Sequence, residues 1–576
     1  MTLLKNVRLY KGQELEIIGD SLSISLLPEV KLMSLQKCWN DEIPADTVEL
    51  GEVLLKPDDP YRLVGQEASR FFRFEDFVSL YKSIGRGAIC PIVLSLVTVF
   101  QFLENLPDRE AAKQARLRID WKYALHQALT WLGFHYSDLC NFRKRLLEHE
   151  KERLVFDKVL QWVKSHGFVR KYGKQRTDSS HVLGTVERMS RLELTWETLR
   201  VTLRELKQAV PTWYERTIPA AFHEAYHERQ SDWKLSEDEV RQALQRAGQD
   251  GYWLLDHIDT TAPEAAQRLA GVETLRIVLD QQFERTEAGV EAKKVPIKGK
   301  DIIVTPHDTG ARWAEKRGKD WIGYKIQVTE TVDEEQAVQF ITDVDTVAAN
   351  DGDSEQVDPI QSRLAERDLL PREHLVDQGY TSGPNLAKSA ERGVELVGPV
   401  AVDQSNKPEG YRQADFDLDF EAHQATCPGE RESASWTEYK APEAPDDPHR
   451  REIKIRFGSA CDGCPARSLC APGKTGRTLT VSAFYAELSA RRAEQQTDEF
   501  KERLKERSAV EGTISEFTRC HGARRARYRW KSNVRLQHLF TGAAVNIKRL
   551  ARALALQDEE NGYRCGSSLA DASLAA

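Results

Sequence analysis

Three carboxylates occupy positions from which a metal ion could be bound. Asp178 lies near the start of a strand predicted for Gln175–Val186, and its Asp-Ser-Ser-His run is unusual for a strand that does not line a site. Asp377 ends a short apolar strand that begins at His374, and Glu511 lies on a predicted late helix. Carboxylates from separate elements are the ligands that paired Mg²⁺ ions need for phosphodiester chemistry. The pattern predicts that chemistry only if the fold gathers positions far apart in the chain.

The helix predicted around Glu511 has charged groups on a face that should be apolar. Residues three or four positions apart share this face: Phe500, Leu504, Arg507, Glu511 and Ile514. A carboxylate buried there is costly unless it is paired or bound to a metal. Arg507 and Glu511 are therefore either part of a site or an ordinary i,i+4 ion pair. Gly512 lowers helix propensity and indicates close approach of another backbone or of a ligand.

The segment that contains Glu511 is also strongly basic. Lys501–Arg552 holds 14 Lys or Arg residues and four Glu residues, a net charge of +10, whereas the whole chain carries −8. Tyr528 and Trp530 alternate with arginines, and a second basic and aromatic stretch spans 312–321. This pattern is typical of nucleic-acid binding, although a solvated basic loop would show the same run of residues. The candidate DNA contacts are Arg312, Lys316, Arg317, Arg519, Arg524, Arg525, Arg527 and Lys531.

Four of the nine cysteines fall within one stretch of 44 residues, at Cys427, Cys461, Cys464 and Cys470. A C-x₂-C pair with two further thiolates can complete a closed tetrahedral Zn²⁺ site. The flanking residues are rich in Pro, Glu and Asp and predict a poor core, which a metal would reinforce. Unliganded thiols are the alternative, and His423 could replace one of the four.

The elements that must position these side chains predict an α/β protein. Residues 71–168 and 187–292 have helical spacing, and Ile92–Leu103 is apolar enough for a central buried helix. Residues 301–400 alternate like strands. Predicted elements there are the strands Asp301–Val304, Tyr324–Val328, Val338–Val344 and Val394–Val400 and a helix over Ser354–Glu366. The basic faces of 71–168 indicate either a DNA-end-binding module or ordinary solvated charge.

Size and composition limit the remaining possibilities. A chain of 576 residues is expected to hold several domains, and its acidic total requires any DNA affinity to come from local basic patches. The longest apolar run has 12 residues, too short to span a bilayer, and no secretory signal is visible. An odd number of cysteines in a long chain favours a reduced cytosolic protein.

Several motifs in order resemble those of a known family. They are RTDSSHVL, TPHDTGARWAEKRGKDWIGYKIQVTET, LVDQGYTS and the late stretch that runs from Arg507 through EGTIS and ARYRW to LQHLFTGAAVNIKRL. Together they resemble the DDE transposases of bacterial insertion sequences, with the nearest resemblance to the eleven-eighty-two group. The resemblance covers roughly 44–552. Related groups have a Tyr and a Lys near the third acid, where this chain has Leu504 and Thr518.

The resemblance implies a ribonuclease H-like core interrupted by insertions. We expect an N-terminal extension (1–44), a helical DNA-binding domain (45–170), and a core assembled from 171–189, 300–400 and 485–552. A helical insertion (190–299), a cysteine-containing, zinc-binding-like insertion (401–484) and a flexible tail (553–576) complete the expected organisation.

The resemblance also implies a function and a mechanism. Asp178, Asp377 and Glu511 would hold Mg²⁺ or Mn²⁺, Arg507 would orient Glu511 or a phosphate, and the basic residues would bind double-stranded DNA. The expected partners are the element's inverted-repeat ends and target DNA, with a homodimer in the synaptic complex, in the cytoplasm at the nucleoid. Glu516 is the rival third acid. The alternatives are a metal-dependent DNA nuclease without strand transfer and a catalytically inactive DNA-binding protein.

Overall fold

The computed structural model describes residues 13–18, 21–26, 35, 39–82, 87–287, 289–294, 299–401, 411–440, 451–471 and 473–574. The chain divides into two compact units. The first consists of Met1–Trp162 and Ile547–Ala576, and the second is Val163–Asn546. Most of the predicted N-terminal extension lies outside the described residues.

The first unit is mainly helical. Its elements are the hairpin Gln13–Ile18 with Ser21–Leu26 and the helices Ala45–Leu54, Pro60–Phe71, Phe74–Leu80, Pro91–Leu103, Asp108–Leu117, Ile119–Ala124, Ser137–Glu148 and Leu154–Ser165, the last of which runs on into the second unit. The buried helix predicted for Ile92–Leu103 is confirmed, because residues 91–102 are all buried and Pro91 opens the helix. In the part of the chain that is described, every helix is too short or too polar to cross a membrane.

A mixed sheet forms the centre of the second unit. Its central strand, Lys174–Leu183, pairs antiparallel with the long strand Lys319–Val332 and parallel with Glu373–Leu375. Glu395–Val397 then adds in parallel beyond Glu373–Leu375. The far edge of the long strand is shared by Arg312–Lys316 and Ile341–Ala348, both antiparallel. Mixed strands and helices confirm the α/β class.

Two sequence predictions in this sheet need correction. Asp301–Val304 is not a strand, and the first strand of the hairpin is instead Arg312–Lys316, whose charged residues hide its alternation.

Gly323, where the hairpin meets the central strand, has φ +146°, and a Cβ there would lie 2.3 Å from the Val182 carbonyl oxygen. Only glycine allows this close approach of the two strands.

Helices flank the sheet and carry the late part of the chain. They are Asp353–Gln356, Val357–Glu366, Gly383–Glu391, Tyr485–Glu494, Asp498–Ser508, Val510–Ser515, the π-helical turn Glu516–Cys520 and Lys531–Leu574. The face predicted from Phe500 to Ile514 is therefore divided between two helices that meet at Ala509. The last helix extends to Leu574, across the segment expected to be a flexible tail.

Residues 191–282 form a helical region with a core of its own. The helices are Arg191–Ala209, Pro211–Thr217, Ala220–Tyr226, Glu237–Thr261, Glu264–Gln267 and Ala270–Gln282, followed by the hairpin Phe283–Thr286 with Gly289–Ala292. Leu199, Leu254, Leu275 and Phe283 are among its buried core residues. Ser190 caps the first helix through the Glu193 backbone N–H, as a capping box requires. The closing hairpin was absent from the sequence prediction.

The cysteine segment has a small core that its composition concealed. Its elements are Gln413–Asp415, the strands Asp417–Asp419, Gln424–Thr426, Ser435–Lys440, Arg451–Arg456 and Thr478–Ser482, and the short helices Gly458–Cys461 and Arg467–Cys470. Ile453, Ile455, Phe457 and Val481 are buried in one cluster that also includes Cys470. The expectation of a poor core is therefore wrong, because alternate residues of the neighbouring strands Arg451–Arg456 and Thr478–Ser482 supply one.

Candidate active site

Asp178 lies on the central strand, and 18% of its side chain is exposed. The Ser179 backbone N–H donates to its Oδ1 at 2.7 Å. Burial raises the pKa of Asp178, and the nearby charge of Asp377 raises it further, although Ser179, Arg507 and Lys316 act in the opposite direction. The negative charge at Asp178 is thus incompletely balanced by the protein, which is the condition that favours a bound cation.

Asp377 lies two residues beyond the strand Glu373–Leu375, which is parallel to the central strand. Its Oδ1 accepts from the Gly379 backbone N–H at 2.8 Å, and its carbonyl oxygen accepts from the Tyr380 backbone N–H at 3.2 Å. The turn therefore fixes the carboxylate at the end of the strand. The structure brings Asp377 near enough to Asp178 for the two negative charges to interact.

Arg507 lies between the first and third predicted acids. Its Nη1 is 3.3 Å from Asp178 Oδ2, and its Nη2 is 3.9 Å from Glu511 Oε1. Arg507 is 18% exposed, whereas the side chain of Glu511 is 71% exposed. Glu511 therefore lies near Arg507, which also contacts Asp178, but it is not buried among apolar groups, contrary to the interpretation of its helical face.

Glu516 and Gly512 lie close to Glu511 in the chain, and the structure shows the surroundings of both. Glu516, the rival third acid, lies in the π-helical turn, and its Oε1 is 3.7 Å from His521 Nε2. A Cβ at Gly512 would meet nothing within 4 Å among the described atoms. The predicted close approach of another backbone at Gly512 is therefore wrong, and that side of the helix is open.

The carboxylates are neighbours but do not form a ready ligand set. Within the described ranges, no group of three or more His, Cys, Asp or Glu side chains is arranged to hold a metal ion. Chemically the three acids still suit Mg²⁺ or Mn²⁺, because hard cations prefer carboxylate oxygens. The exposed side chain of Glu511 is the member of the set with the most freedom to move.

A buried polar network behind Asp377 escaped the sequence analysis. Tyr380 is fully buried, and its hydroxyl donates to Gln327 Oε1. Gln327 Nε2 and Lys325 Nζ each donate to Asp353 Oδ1 at 3.1 Å. Burial raises the pKa of Tyr380, and the neighbouring carboxylates add to this effect. The polar residues at 325 and 327, which alternate with apolar ones, were the signal that could have revealed this network.

Basic residues gather at the far end of the central strand. The hairpin turn between Arg312–Lys316 and Lys319–Val332 has positive φ at Arg317 (54°) and Gly318 (73°). Burial lowers the pKa of His181, and the charges of Arg524, Lys316 and Lys319 lower it further. His181 therefore lies within a cluster of cations three residues from Asp178, and its neutral form is favoured.

The late basic segment runs alongside this strand end. The Leu183 backbone N–H donates to the Arg524 carbonyl oxygen at 2.9 Å, and the Ala526 N–H donates back to the Leu183 carbonyl oxygen at 2.8 Å. Arg524 Nη1 also donates to Ser180 Oγ at 3.0 Å. Of the predicted DNA contacts, five are exposed: Lys316, Arg317, Arg519, Arg525 and Lys531. Three are partly buried: Arg312, Arg524 and Arg527.

All four clustered cysteines border one small cavity of about 20 Å³. The Arg477 backbone N–H donates to Cys461 Sγ at 3.3 Å. Burial raises the pKa of Cys470, and the other three thiols lie close enough to contribute to that shift. Cys427, Cys461, Cys464 and Cys470 are thus brought together, although not in the geometry of a metal site.

Two family models match parts of this chain. Residues 426–551 match a model described as a transposase DDE domain, and residues 49–145 match one described as a transposase domain, DUF772. The first match contains Glu511, Arg507 and the four cysteines, whereas Asp178 and Asp377 lie outside it. No curated protein and no solved structure matches the chain. The two matched regions are thus similar to transposase domains, one of them a DDE domain, and this similarity supports a transposase function for this chain.

Proposed function

We propose that this protein is an insertion-sequence transposase of the eleven-eighty-two group. It binds the ends of its element, cleaves the DNA and joins the resulting 3′-hydroxyl ends to target DNA. The observation that carries the proposal is the position of Arg507, which contacts Asp178 and Glu511 while Asp377 lies beside Asp178. Glu511 also belongs to the matched DDE domain.

The proposed catalytic core is ribonuclease H-like. Its support is the sheet, in which the central strand carries Asp178, antiparallel strands lie on one side and short parallel strands on the other. Asp377 follows the first of those parallel strands. We further propose that the helical region 190–299 and the cysteine segment 401–484 are insertions into this core, because each has its own cluster of buried apolar residues.

Asp178, Asp377 and Glu511 are the proposed ligands of Mg²⁺ or Mn²⁺. The raised pKa of Asp178 supports this role, since an added cation would offset charge that the protein leaves unbalanced. When bound, paired divalent ions supply an activated nucleophile and neutralise the leaving oxygen in phosphoryl transfer. Arg507 lies within ion-pair distance of both Glu511 and Asp178 and would add positive charge near the phosphate.

Double-stranded DNA is the proposed partner, held first by backbone contacts. Lys316 and Arg317 at the hairpin turn and Arg525 beside Leu183 form a basic rim at the far end of the central strand, and the charge of Lys316 acts on Asp178. Arg519 and Lys531 flank this rim, and Arg312, Arg524 and Arg527 support it from partly buried positions. Phosphate contacts of this kind carry little sequence information and depend strongly on salt. A homodimer that pairs two element ends, in the cytoplasm at the nucleoid, completes the proposal.

A structural Zn²⁺ at Cys427, Cys461, Cys464 and Cys470 is a separate part of the proposal. Four thiols around one small cavity suit a closed tetrahedral site, in which thiolates bind the ion at about 2.3 Å. Arg431, Arg467 and Arg477 also line the cavity and would balance the thiolate charge. Metal analysis of the purified protein tests this directly, and a zinc-to-protein ratio near zero would remove zinc from the proposal.

A strand-transfer assay tests the main proposal. Pre-cut duplexes made from the DNA that flanks the coding region, with its inverted repeats, are incubated with a target plasmid and Mg²⁺ or with EDTA. We expect joined product only with the metal. Cleavage of uncut ends without joining would indicate a nuclease, and a gel shift without any metal-dependent cleavage would indicate a DNA-binding protein.

The choice between the two candidate third acids is tested in the same assay. Glu511→Gln should abolish cleavage and joining, because Glu511 shares Arg507 with Asp178. Glu516→Gln should retain both activities, because Glu516 faces His521 instead. The opposite result would transfer the ligand role to Glu516.

A further inference from the structure

A buried ion pair lies on the same face of the central strand as Asp178. Arg176 precedes Asp178 by two residues, so the two side chains share a face of the sheet. Arg176 pairs in register with Glu330 on the long strand, and its Nη2 lies 2.6 Å from Glu330 Oε1. Their side chains are 8% and 0% exposed. Such a pair contributes little net stability compared with apolar residues of similar size, so its presence calls for another explanation.

The ion pair makes hydrogen bonds to the two helices that carry Arg507 and Glu511. Thr513 Oγ1 donates to Glu330 Oε2 at 2.6 Å. Arg176 Nη1 donates to the Glu506 carbonyl oxygen at 2.6 Å. One contact thus falls immediately before Arg507 and the other falls two residues after Glu511. The two helices are attached to the central strands on both sides of these functional residues.

The hydrogen bond from Thr513 to Glu330 also fixes the orientation of the helix that carries Glu511. The neighbouring residue Gly512 offers no packing contact, since a Cβ there would meet nothing within 4 Å. Val510 is fully buried and supplies apolar contact, but apolar contacts alone do not fix the rotation of a helix about its axis. The hydrogen bond from Thr513 to the buried Glu330 does fix it, and it thereby sets the direction in which Glu511 projects.

We infer that Arg176, Glu330 and Thr513 are positioning residues. They hold the Glu511 helix against the Asp178 strand, so that the exposed Glu511 side chain starts from a fixed backbone position when it reaches for a divalent cation shared with Asp178. This inference rests on the proposed function, because it presumes that Asp178 and Glu511 bind the same cation pair. It adds residues that touch neither the metal nor the DNA, and it assigns them a role other than stability.

The test compares one hydroxyl at the attachment with one elsewhere. Thr513→Val removes the bond to Glu330 and keeps the side-chain shape, and Thr513→Ser keeps the bond. Thr202→Val is the matched control, since Thr202 is fully buried in the helical region and donates to the Gly271 carbonyl oxygen at 2.9 Å. For each variant, Mn²⁺ binding is titrated by electron paramagnetic resonance with pre-cut end DNA present. Thermal unfolding and the Mg²⁺ dependence of cleavage are measured alongside.

We expect Thr513→Val to weaken Mn²⁺ binding and to raise the Mg²⁺ concentration for half-maximal cleavage by about 10-fold, as loss of a group that orients a metal ligand does. Thr513→Ser should restore both values to within about twofold of the wild type. Thr202→Val should lower the unfolding temperature without changing either metal value. Glu330→Gln keeps the side-chain volume and should reproduce the effect of Thr513→Val, which provides a second variant if the first folds poorly.

Equal metal affinities for the wild type, Thr513→Val and Glu330→Gln would overturn the inference and leave the network a purely structural role. The same conclusion follows if Thr202→Val weakens Mn²⁺ binding as much as Thr513→Val does. Failure of the proposed function would look different, because the wild-type protein itself would then show no metal-dependent cleavage.

Discussion

The proposed acidic site and the cysteine cluster both draw on side chains that are separated in the chain, but over very different lengths of sequence. Asp178, Asp377 and Glu511 come from elements far apart in the chain and are held by a sheet, a turn and buried polar contacts. The four cysteines come from one 44-residue stretch folded around its own small core. Formation of the proposed acidic site therefore depends on the fold of the whole second unit, whereas formation of the cysteine cluster depends on local structure.

The two regions also differ in what their side chains contribute. Burial raises the pKa of Asp178, so its charge opposes folding and is retained for another reason. The cysteines border an apolar cluster, and any metal that they bind would add to folding stability. The first region should therefore lose activity without losing stability when it is mutated, and the second should show the reverse.

The largest expected effect is on the acidic site. Asp178→Asn should reduce DNA cleavage by at least about 10³-fold, because a lost metal ligand removes several kcal/mol of transition-state stabilisation. The unfolding temperature should stay the same or rise, since a buried charge is removed. Cleavage assays and differential scanning calorimetry of the two proteins check both statements. A clear loss of stability would break the comparison by making Asp178 structural.

The converse effect is expected at the cysteine cluster. The double variant Cys461→Ser/Cys464→Ser should lose bound zinc and about 3 kcal/mol or more of stability, because metal binding and folding are coupled. Cys520→Ser is the control, since Cys520 is exposed and remote from the cluster in sequence. Metal analysis with chemical denaturation measures both quantities. Unchanged stability in the double variant would mean that the small core is sufficient without a metal.

The stability of the second unit should depend on pH, because the buried His374 and His538 bind protons more readily once the chain unfolds. Burial lowers the pKa of His374, which lies on the strand that leads to Asp377, to about 4. The unfolded chain binds this proton more readily, so the unfolding free energy should fall by up to about 3 kcal/mol as the pH drops from about 6.5 to about 4. His538, whose pKa burial lowers to about 3, acts in the same direction.

The variant His374→Gln should flatten part of that dependence, because the glutamine keeps a polar partner for the Thr177 hydroxyl without a titrating group. Urea unfolding at several pH values between 4 and 7 provides the measurement. An identical pH profile for the wild type and the variant would show that His374 does not titrate on unfolding.

The smallest expected effect concerns the basic rim. Arg525→Ala should weaken DNA binding and reduce the slope of log affinity against log salt by about 1, the contribution of one phosphate contact. Arg241→Ala is the control, since this arginine is also exposed but lies in the helical region. Binding isotherms at several salt concentrations give both slopes. An unchanged slope for Arg525→Ala would exclude it from the DNA contacts.

The sequence predicted local features well where periodicity was strong. The buried helix at Ile92–Leu103 was identified because it is apolar almost all round, and the strand through Tyr324–Val328 because its apolar and polar residues alternate. The strand Arg312–Lys316 was missed because charge obscured its alternation, and a strand was assigned wrongly to Asp301–Val304. Short segments with few apolar residues give periodicity too little signal to decide.

The sequence could suggest the residues of the candidate site, but it could not predict the buried contacts around them. Unusual residue types singled out Asp178, Asp377 and Glu511, and the grouping of the acids remains a proposal that the experiments above address. The pairing of Arg176 with Glu330 depends on strand register, and the bond from Thr513 depends on how the late helices lie against the sheet. Neither contact leaves a trace in local sequence, because their partners lie more than 150 residues apart.

The contrast between an anchored helix and an exposed carboxylate has a kinetic consequence. Glu511 is 71% exposed, but the backbone two residues away is attached to the sheet through Thr513. Completing the ligand set then takes only rotation about side-chain bonds, which occurs in picoseconds to nanoseconds at exposed positions. Cation capture would therefore proceed at the speed of a side-chain rotation and would not wait for a slower movement of the backbone.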